Sequence, residues 1–126
     1  MTNGRIAVPS DGNGGLDGKR SGHFGHCSVF TIVDVENGEI TKVTTIPNME
    51  HQDGGCMVPV NLLASHNVNA IIVGGMGIRP LMGFNQVGID VYYDVNCAEI
   101  KPVIENLIAG KLELMTQDKV CGGGNH

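Results

Sequence analysis

The chain has 126 residues, a formal net charge of −5, four Cys, five His, no Trp and only 4% aromatic residues. That length fits one domain able to bury its own core without a disulfide or structural metal. An acidic chain with so few rings lacks both the basic footprint and the stacking platforms that nucleic acid requires, and no stretch approaches the ~20 apolar residues that span a bilayer.

"RIAVPS" (5–10) predicts a short buried strand cut off by Pro9. "DGNGGLDGKRSG" (11–22) follows as a mobile, glycine-rich loop. "CSVFTIVDV" (27–35) is rich in β-branched and aromatic residues, and "ITKVTTIPN" (40–48) alternates apolar with polar. The Asn-Gly between them predicts a hairpin whose second strand is the more exposed. After the polar loop "MEHQDGG" (49–55), "CMVPVNLLASHN" (56–67) has helical spacing, with Pro59 tolerable in its first turn. "NAIIVGGMG" (69–77) reads as a central parallel strand running into glycines, and "IRPLMGFNQVG" (78–88) as a short helix. "IDVYYDV" (89–95) is another strand, and "AEIKPVIENLIAGK" (98–111) an amphipathic helix with Pro102 near its start and Gly110 as its cap. The order of strand, hairpin, helix, strand, helix, strand, helix predicts an α/β sandwich with a mixed sheet. One domain over 1–115, with a flexible Cys/Gly/His tail over 116–126, is the expected organisation.

The N-terminus lacks the basic-then-apolar order of a secretory signal, so the cytoplasm is the expected compartment. There, cysteines are thiols or metal ligands rather than disulfides. Cys27, Cys56, Cys97 and Cys121 include no C-x-x-C pair, so any metal site has to be assembled by the fold from distant segments.

Ligands of open α/β sheets gather beyond the carboxyl ends of the parallel strands. Glycine-rich segments at 11–22, 54–56 and 74–77 fall at strand ends or helix starts. If they converge, His23 and His26 approach Cys56 and the "GGMG" turn. Cys56 precedes a helix, whose positive N-terminus favours a thiolate. Cys27 opens a strand and faces either this rim or the core. Cys97, just before a helix, reads as structural. Cys121 is either an incidental tail thiol or part of a tail that folds over a ligand. His66 ends a helix and complements its dipole, and Met57 is an ordinary core residue or a thioether donor.

Two competing readings come from the same residues. Gly74, Gly75, Gly77 and Arg79 can cradle a small anion or nucleotide, although "GGMGIRP" is neither G-x-G-x-x-G nor a P-loop. The thiols also permit a redox role. No serine nucleophile elbow or oriented Cys–His pair favours an enzyme.

"IAVPSDG", "SGHFGHCSVFTIVDV", "HQDGGC", "NAIIVGGMG" and the last Tyr-Asp-Val strand together resemble the dinitrogenase iron–molybdenum cofactor biosynthesis family. That family comprises NifX-like proteins, NifB C-terminal domains and small stand-alone relatives. The most specific element is S-x-H-F-G-x-C, here Ser21, His23, Phe24, Gly25 and Cys27. The resemblance implies a three-layer α/β/α fold of ribonuclease H-like motif around a mixed five-stranded sheet, with no nuclease activity. The fold implied is that of nitrogenase accessory factors, and the role implied is binding or carrying an iron–sulfur or molybdenum-containing cluster, with donor or recipient proteins as partners, rather than catalysis. Because the family also occurs in organisms that fix no nitrogen, membership alone does not imply nitrogenase assembly. By position, His23 and Cys27 fall in the cluster-site loop, and Gly55 and Cys56 in the second Gly-Gly-Cys segment. His26, Gly75 and Cys121 complete the candidate set, and "CGGGNH" with His126 is a reduced form of the family's Gly-, His- and Cys-rich tail. A monomer or weak homo-oligomer is expected.

Overall fold

The computed structural model describes residues 3–21, 27–48, 57–74, 76–94 and 98–115, with backbone alone for 57–59. Its elements are β1 (Gly4–Ser10), β2 (Val29–Glu36), β3 (Glu39–Pro47), α1 (Met57–Ser65), β4 (Ala70–Val73), α2 (Ile78–Gln86), β5 (Asp90–Tyr93), α3 (Ile100–Ile108) and β6 (Glu113–Leu114). They follow the predicted order with one addition. The sheet has six strands, not five, in the order β3-β2-β1-β4-β5-β6. The extra strand is the two-residue β6, antiparallel to β5 through Tyr92↔Leu114 and Tyr93↔Glu113. Two residues are too few to carry an alternation, so its pairing is visible only in three dimensions.

The pleat decides the layers. Along β2, Phe30 and Ile32 point into one core with Val60 and Leu63 of α1 and Leu81 and Phe84 of α2. Val33 and Val35 point the other way, onto Ile100, Val103, Ile104 and Leu107 of α3. Two helices on one face and one on the other make the α/β/α sandwich. β4, paired in parallel with both β1 and β5, is buried at every residue.

The hairpin turns at Asn37 and Gly38, whose φ values of 52° and 79° suit the tight turn that matches strand twist. β3 is the exposed edge, as predicted. A bulge interrupts its register opposite Asp34 and Val35. All three helices end alike. Asn67, Gly88 and Gly110 take φ of 60°, 80° and 76°, and the following amides of Val68, Ile89 and Lys111 reach back to Leu63, Phe84 and Asn106 carbonyls. This left-handed cap satisfies the last-turn carbonyls.

Two expectations need correcting. Pro9 does not cut β1 off: the strand runs on to Ser10, with Pro9 opposite Phe30. Pro9 lies past the end of the β4 pairing, and its carbonyl accepts from Ser21 N–H at 2.7 Å. Its missing N–H therefore faces the 19–21 segment, and the ladder to β2 loses nothing. Nor do residues 11–21 form a loose loop. Asp11 N–H donates to Lys19, Arg20 N–H to Ala98, and Ile100 and Lys101 N–H to Gly18 and Leu16. Gly15 N–H donates to Thr31 Oγ1 at 3.0 Å. Two of the segment's glycines allow close packing: a Cβ on Gly14 would lie 2.6 Å from Thr31 Oγ1, and one on Gly18 would lie 2.8 Å from the Gly14 carbonyl oxygen, whereas Gly12 and Gly15 face open space.

Candidate functional site

β1, β3, β4 and β5 all run in one direction, because β2 is antiparallel to both of its neighbours. Their carboxyl ends at Ser10, Pro47, Val73 and Tyr93 therefore share one edge of the sheet. At that edge β1 leads off toward β2 and β4 toward β5, which makes the β1/β4 boundary the switch point where such sheets open a crevice. α1 returns the chain to the start of β4, so its first residue, Met57, is on the same side, as are the first turns of α2 and α3.

Four intervals of sequence open and close on this edge. The interval containing His23 and His26 is flanked by Ser21 and Cys27. Gly55 and Cys56 lie between Asn48 and Met57, Gly75 between Gly74 and Met76, and Cys97 between Asp94 and Ala98. His23, His26, Gly55, Cys56, Gly75, Cys97, Cys121 and His126 are themselves outside the described residues, as is the side chain of Met57. Among the described residues no group of three or more His, Cys, Asp or Glu is arranged to hold a metal ion.

The flanking residues are joined. Asn48 N–H donates to Ser28 O at 3.1 Å, and its Nδ2 donates to Cys27 O at 3.0 Å and lies 3.6 Å from Cys27 Sγ. Ser28 N–H donates to Ser10 O. The end of β1, the end of the His23 interval and the start of the Cys56 interval thus form one hydrogen-bonded corner. Cys27 is 5% exposed and packs in the core beneath α1 and α2. Burial pushes its thiol up to about 11, against hydrogen bonds from the Ser10 and Cys27 backbone and from Asn48 that pull it down. Between rim and core, Cys27 faces the core, and its raised pKa favours the neutral thiol there.

The "GGMGIRP" turn is also resolved in part. Met76 is buried in the core, Arg79 is exposed in the first turn of α2, and Gly77 caps that helix in an extended conformation without a side-chain bond. Pro80 leaves one amide fewer to greet an anion. Sequence reasoning missed Arg20 and Asn48. Arg20 lies against Gly74, and Asn48 holds the corner; neither carries a motif, because both matter only once 19–21 and 48 are brought beside β1 and Cys27.

A shallow depression of about 700 Å³ lies at the opposite edge, lined by Asn3, Arg5, Asp34, Lys42 and Asn69 among others. Arg5 Nε meets Asp34 Oδ1 at 2.7 Å and Arg5 Nη1 donates to His66 O at 2.7 Å. Asp34 pushes the Arg5 guanidinium further up. This is a surface ion pair in a polar hollow, at the other end of the strands from Ser10, Cys27 and Asn48. His66 Nδ1 sits 2.9 Å from Leu62 O, so it donates to a last-turn carbonyl of α1, as its position suggested.

Comparison with known proteins agrees with this architecture. The sequence profile of the family described as "Dinitrogenase iron-molybdenum cofactor" matches residues 4–110. The uncharacterized protein MJ0580 of Methanocaldococcus jannaschii is 40% identical over 111 residues, covering 86% of this chain and 89% of that one. A NifB candidate from Thermotoga, TM1290 of the DUF35 family, superposes with a TM-score of 0.71 at 26% identity, covering 88% of this chain and 92% of that one. The apo orange protein of Desulfovibrio gigas superposes at 0.77 with 22% identity, covering 90% and 93%, which establishes a shared fold. The chain therefore belongs to the dinitrogenase iron–molybdenum cofactor family.

Proposed function

We propose that this chain is a non-catalytic carrier that takes up a metal–sulfur cluster, iron–sulfur or molybdenum-containing, from a donor protein and yields it to a recipient in the cytoplasm. The observation that carries this reading is the hydrogen-bonded corner of Ser10, Cys27, Ser28 and Asn48, which ties the ends of the His23 and Cys56 intervals to one edge of the sheet. Imidazole and thiolate donors suit iron, copper or a metal sulfide far better than magnesium or calcium. Cys56 immediately precedes the first residue of α1, where the helix N-terminus favours a thiolate and its amides can donate to an anionic sulfide. His23 and Cys56 are the primary donors, and His26 the next.

Cys27 enters the donor set only by losing a proton held up to about 11, so its ligation accompanies cargo arrival, as metal binding releases thiol protons. The buried, neutral thiol also makes a poor redox nucleophile, which weighs against a thiol-redox role for that residue. Gly55 and Gly75 give the cargo close approach to backbone amides. The described chain ends at Met115, bonded to Val91 near the start of β5. Six residues reach at most about 20 Å, whereas the β1/β4 crevice is about 17 Å away by strand spacing and rise. Ligation through Cys121 requires a nearly straight tail. A carrier gains from few donors on separate turns, since a closed four-thiolate site would not release its load.

Anaerobic reconstitution with ferrous iron and sulfide, with and without molybdate, tests the proposal. A charge-transfer band should form in the wild type and be lost in Cys56→Ser and His23→Ala at unchanged thermal stability. Failure of the wild type to take up metal and sulfide under these conditions would refute it.

A further inference from the structure

Arg20 is brought by the 11–21 segment to the carboxyl end of β4, beside the β1/β4 boundary. Its backbone is pinned on both sides: Arg20 N–H donates to Ala98 O at 2.6 Å, Ser10 and Arg20 form an antiparallel bridge, and the following Ser21 N–H bonds Pro9 O. The side chain then crosses the end of β4. A methyl group built on Gly74 would collide with the Arg20 Nη1 nitrogen and come within 3.6 Å of the Asp94 carbonyl oxygen. Gly74 has no positive φ to explain its identity; what its missing side chain leaves room for is a guanidinium. The charged residues beside it include Lys19, whose backbone forms an antiparallel bridge with that of Glu99, Asp11 just past the end of β1, the buried Asp94, and Arg79 in the first turn of α2.

We propose that Arg20 is a specificity-determining cation of the cargo site, held over Gly74 so that the crevice accepts metal–sulfur species of net negative charge in preference to bare metal cations. This deepens the carrier reading and rests on it. A chain of charge −5 repels an anionic sulfide cluster at long range, so local affinity requires a fixed positive group where the cluster docks. A guanidinium presents five donors in a rigid plane, the geometry that suits the edges of a sulfide or thiomolybdate anion. Glycine at 74 keeps that plane in contact with the sheet end instead of letting it swing to solvent.

The test uses tetrathiomolybdate as the anionic probe, followed by its absorption shift, and Cu(I) as the cationic probe, followed by chelator competition. Both are applied anaerobically to wild type, Arg20→Gln, Arg20→Lys and Gly74→Ala, with thermal melts as a folding control. Arg20→Gln should bind tetrathiomolybdate about tenfold more weakly, the scale of one charged hydrogen bond, with Cu(I) affinity unchanged within about twofold of that of the wild type by the same reasoning. Gly74→Ala keeps every charge yet displaces the guanidinium, and should reproduce the loss; Arg20→Lys should fall between. Equal thiomolybdate affinity in wild type and Arg20→Gln overturns the inference. So does a parallel loss of both probes, which marks a merely structural role. A wild type that takes up iron and sulfide on reconstitution but does not bind tetrathiomolybdate overturns this inference and leaves the carrier reading standing, whereas one that fails the reconstitution and binds no tetrathiomolybdate overturns both.

Discussion

Thr31 is the point at which one hydroxyl holds the glycine-rich segment to the sheet. It is fully buried, and its Oγ1 accepts from Gly15 N–H at 3.0 Å and lies 2.7 Å from Ser10 Oγ. Ser10 Oγ in turn donates to Val8 O at 2.7 Å, so the proton between the two hydroxyls comes from Thr31. The result is a relay of three bonds in which each hydroxyl both donates and accepts. Thr31→Val keeps the shape and β-branch but cuts the relay at its centre, removing the acceptor of Gly15 and the donor to Ser10. At about 1 kcal/mol for each bond, the expected loss is ~2 kcal/mol. For a domain of this size that lowers Tm by about 8 °C. Thr31→Ser removes a methyl but keeps both bonds, and should cost about half as much or less. Calorimetry on the three proteins reads the difference, and hydrogen exchange should show the Gly15 amide opening in the valine variant alone. A valine variant that melts within about 2 °C of wild type, where ~8 °C is expected, or a serine variant as damaged as the valine one, would refute the relay.

Four further outcomes follow from the structure and the reading built on it. In a variant with Cys56, Cys97 and Cys121 replaced by Ser, alkylation of Cys27 by iodoacetamide should be slow at neutral pH and rise with a midpoint near the value of about 11. Because folding raises this thiol from 9.0 to about 11, its contribution to stability is complete below pH 9.0 and is lost as pH climbs through 11; denaturant titrations across that window check the sign. Gly38→Ala places a side chain at φ 79° with only Ile108 Cγ2, 3.8 Å away, nearby, so the penalty is backbone strain alone, about 1 kcal/mol, seen as a lower denaturation midpoint at constant slope. Cys121→Ser should leave the metal and sulfide stoichiometry of the reconstituted protein unchanged, since an extended tail is an entropically poor ligand arm; a fall in stoichiometry would assign that thiol to the site.

What the residues disclosed in advance is what short-range chemistry dictates. Asn37-Gly38 announced the hairpin, the β-branched and aromatic run of 27–35 its buried strand, and Gly88 and Gly110 the ends of two helices. β6 was hidden because two residues have no period. The pinned state of 11–21 was hidden because glycine signals freedom and close packing with the same letter; only Thr31 and the first turn of α3, distant in sequence, decide between them. Cys27 was ambiguous because it precedes β2, where alternation does not yet set the direction of a side chain. The gathering of the candidate intervals on one edge was legible from the α/β order, while Arg20 and Asn48 were not, since their partners Gly74 and Cys27 are far off along the chain.

The outer margin of β3 bears on how such a chain behaves in company. A bare strand nine residues long offers a template for any other extended backbone. Here the kink opposite Asp34 and Val35, the ammonium of Lys42 and the imino ring of Pro47 roughen that template along its length. Copies crowded together do not readily zip into ribbons, and the sheet stops growing at its own last strand.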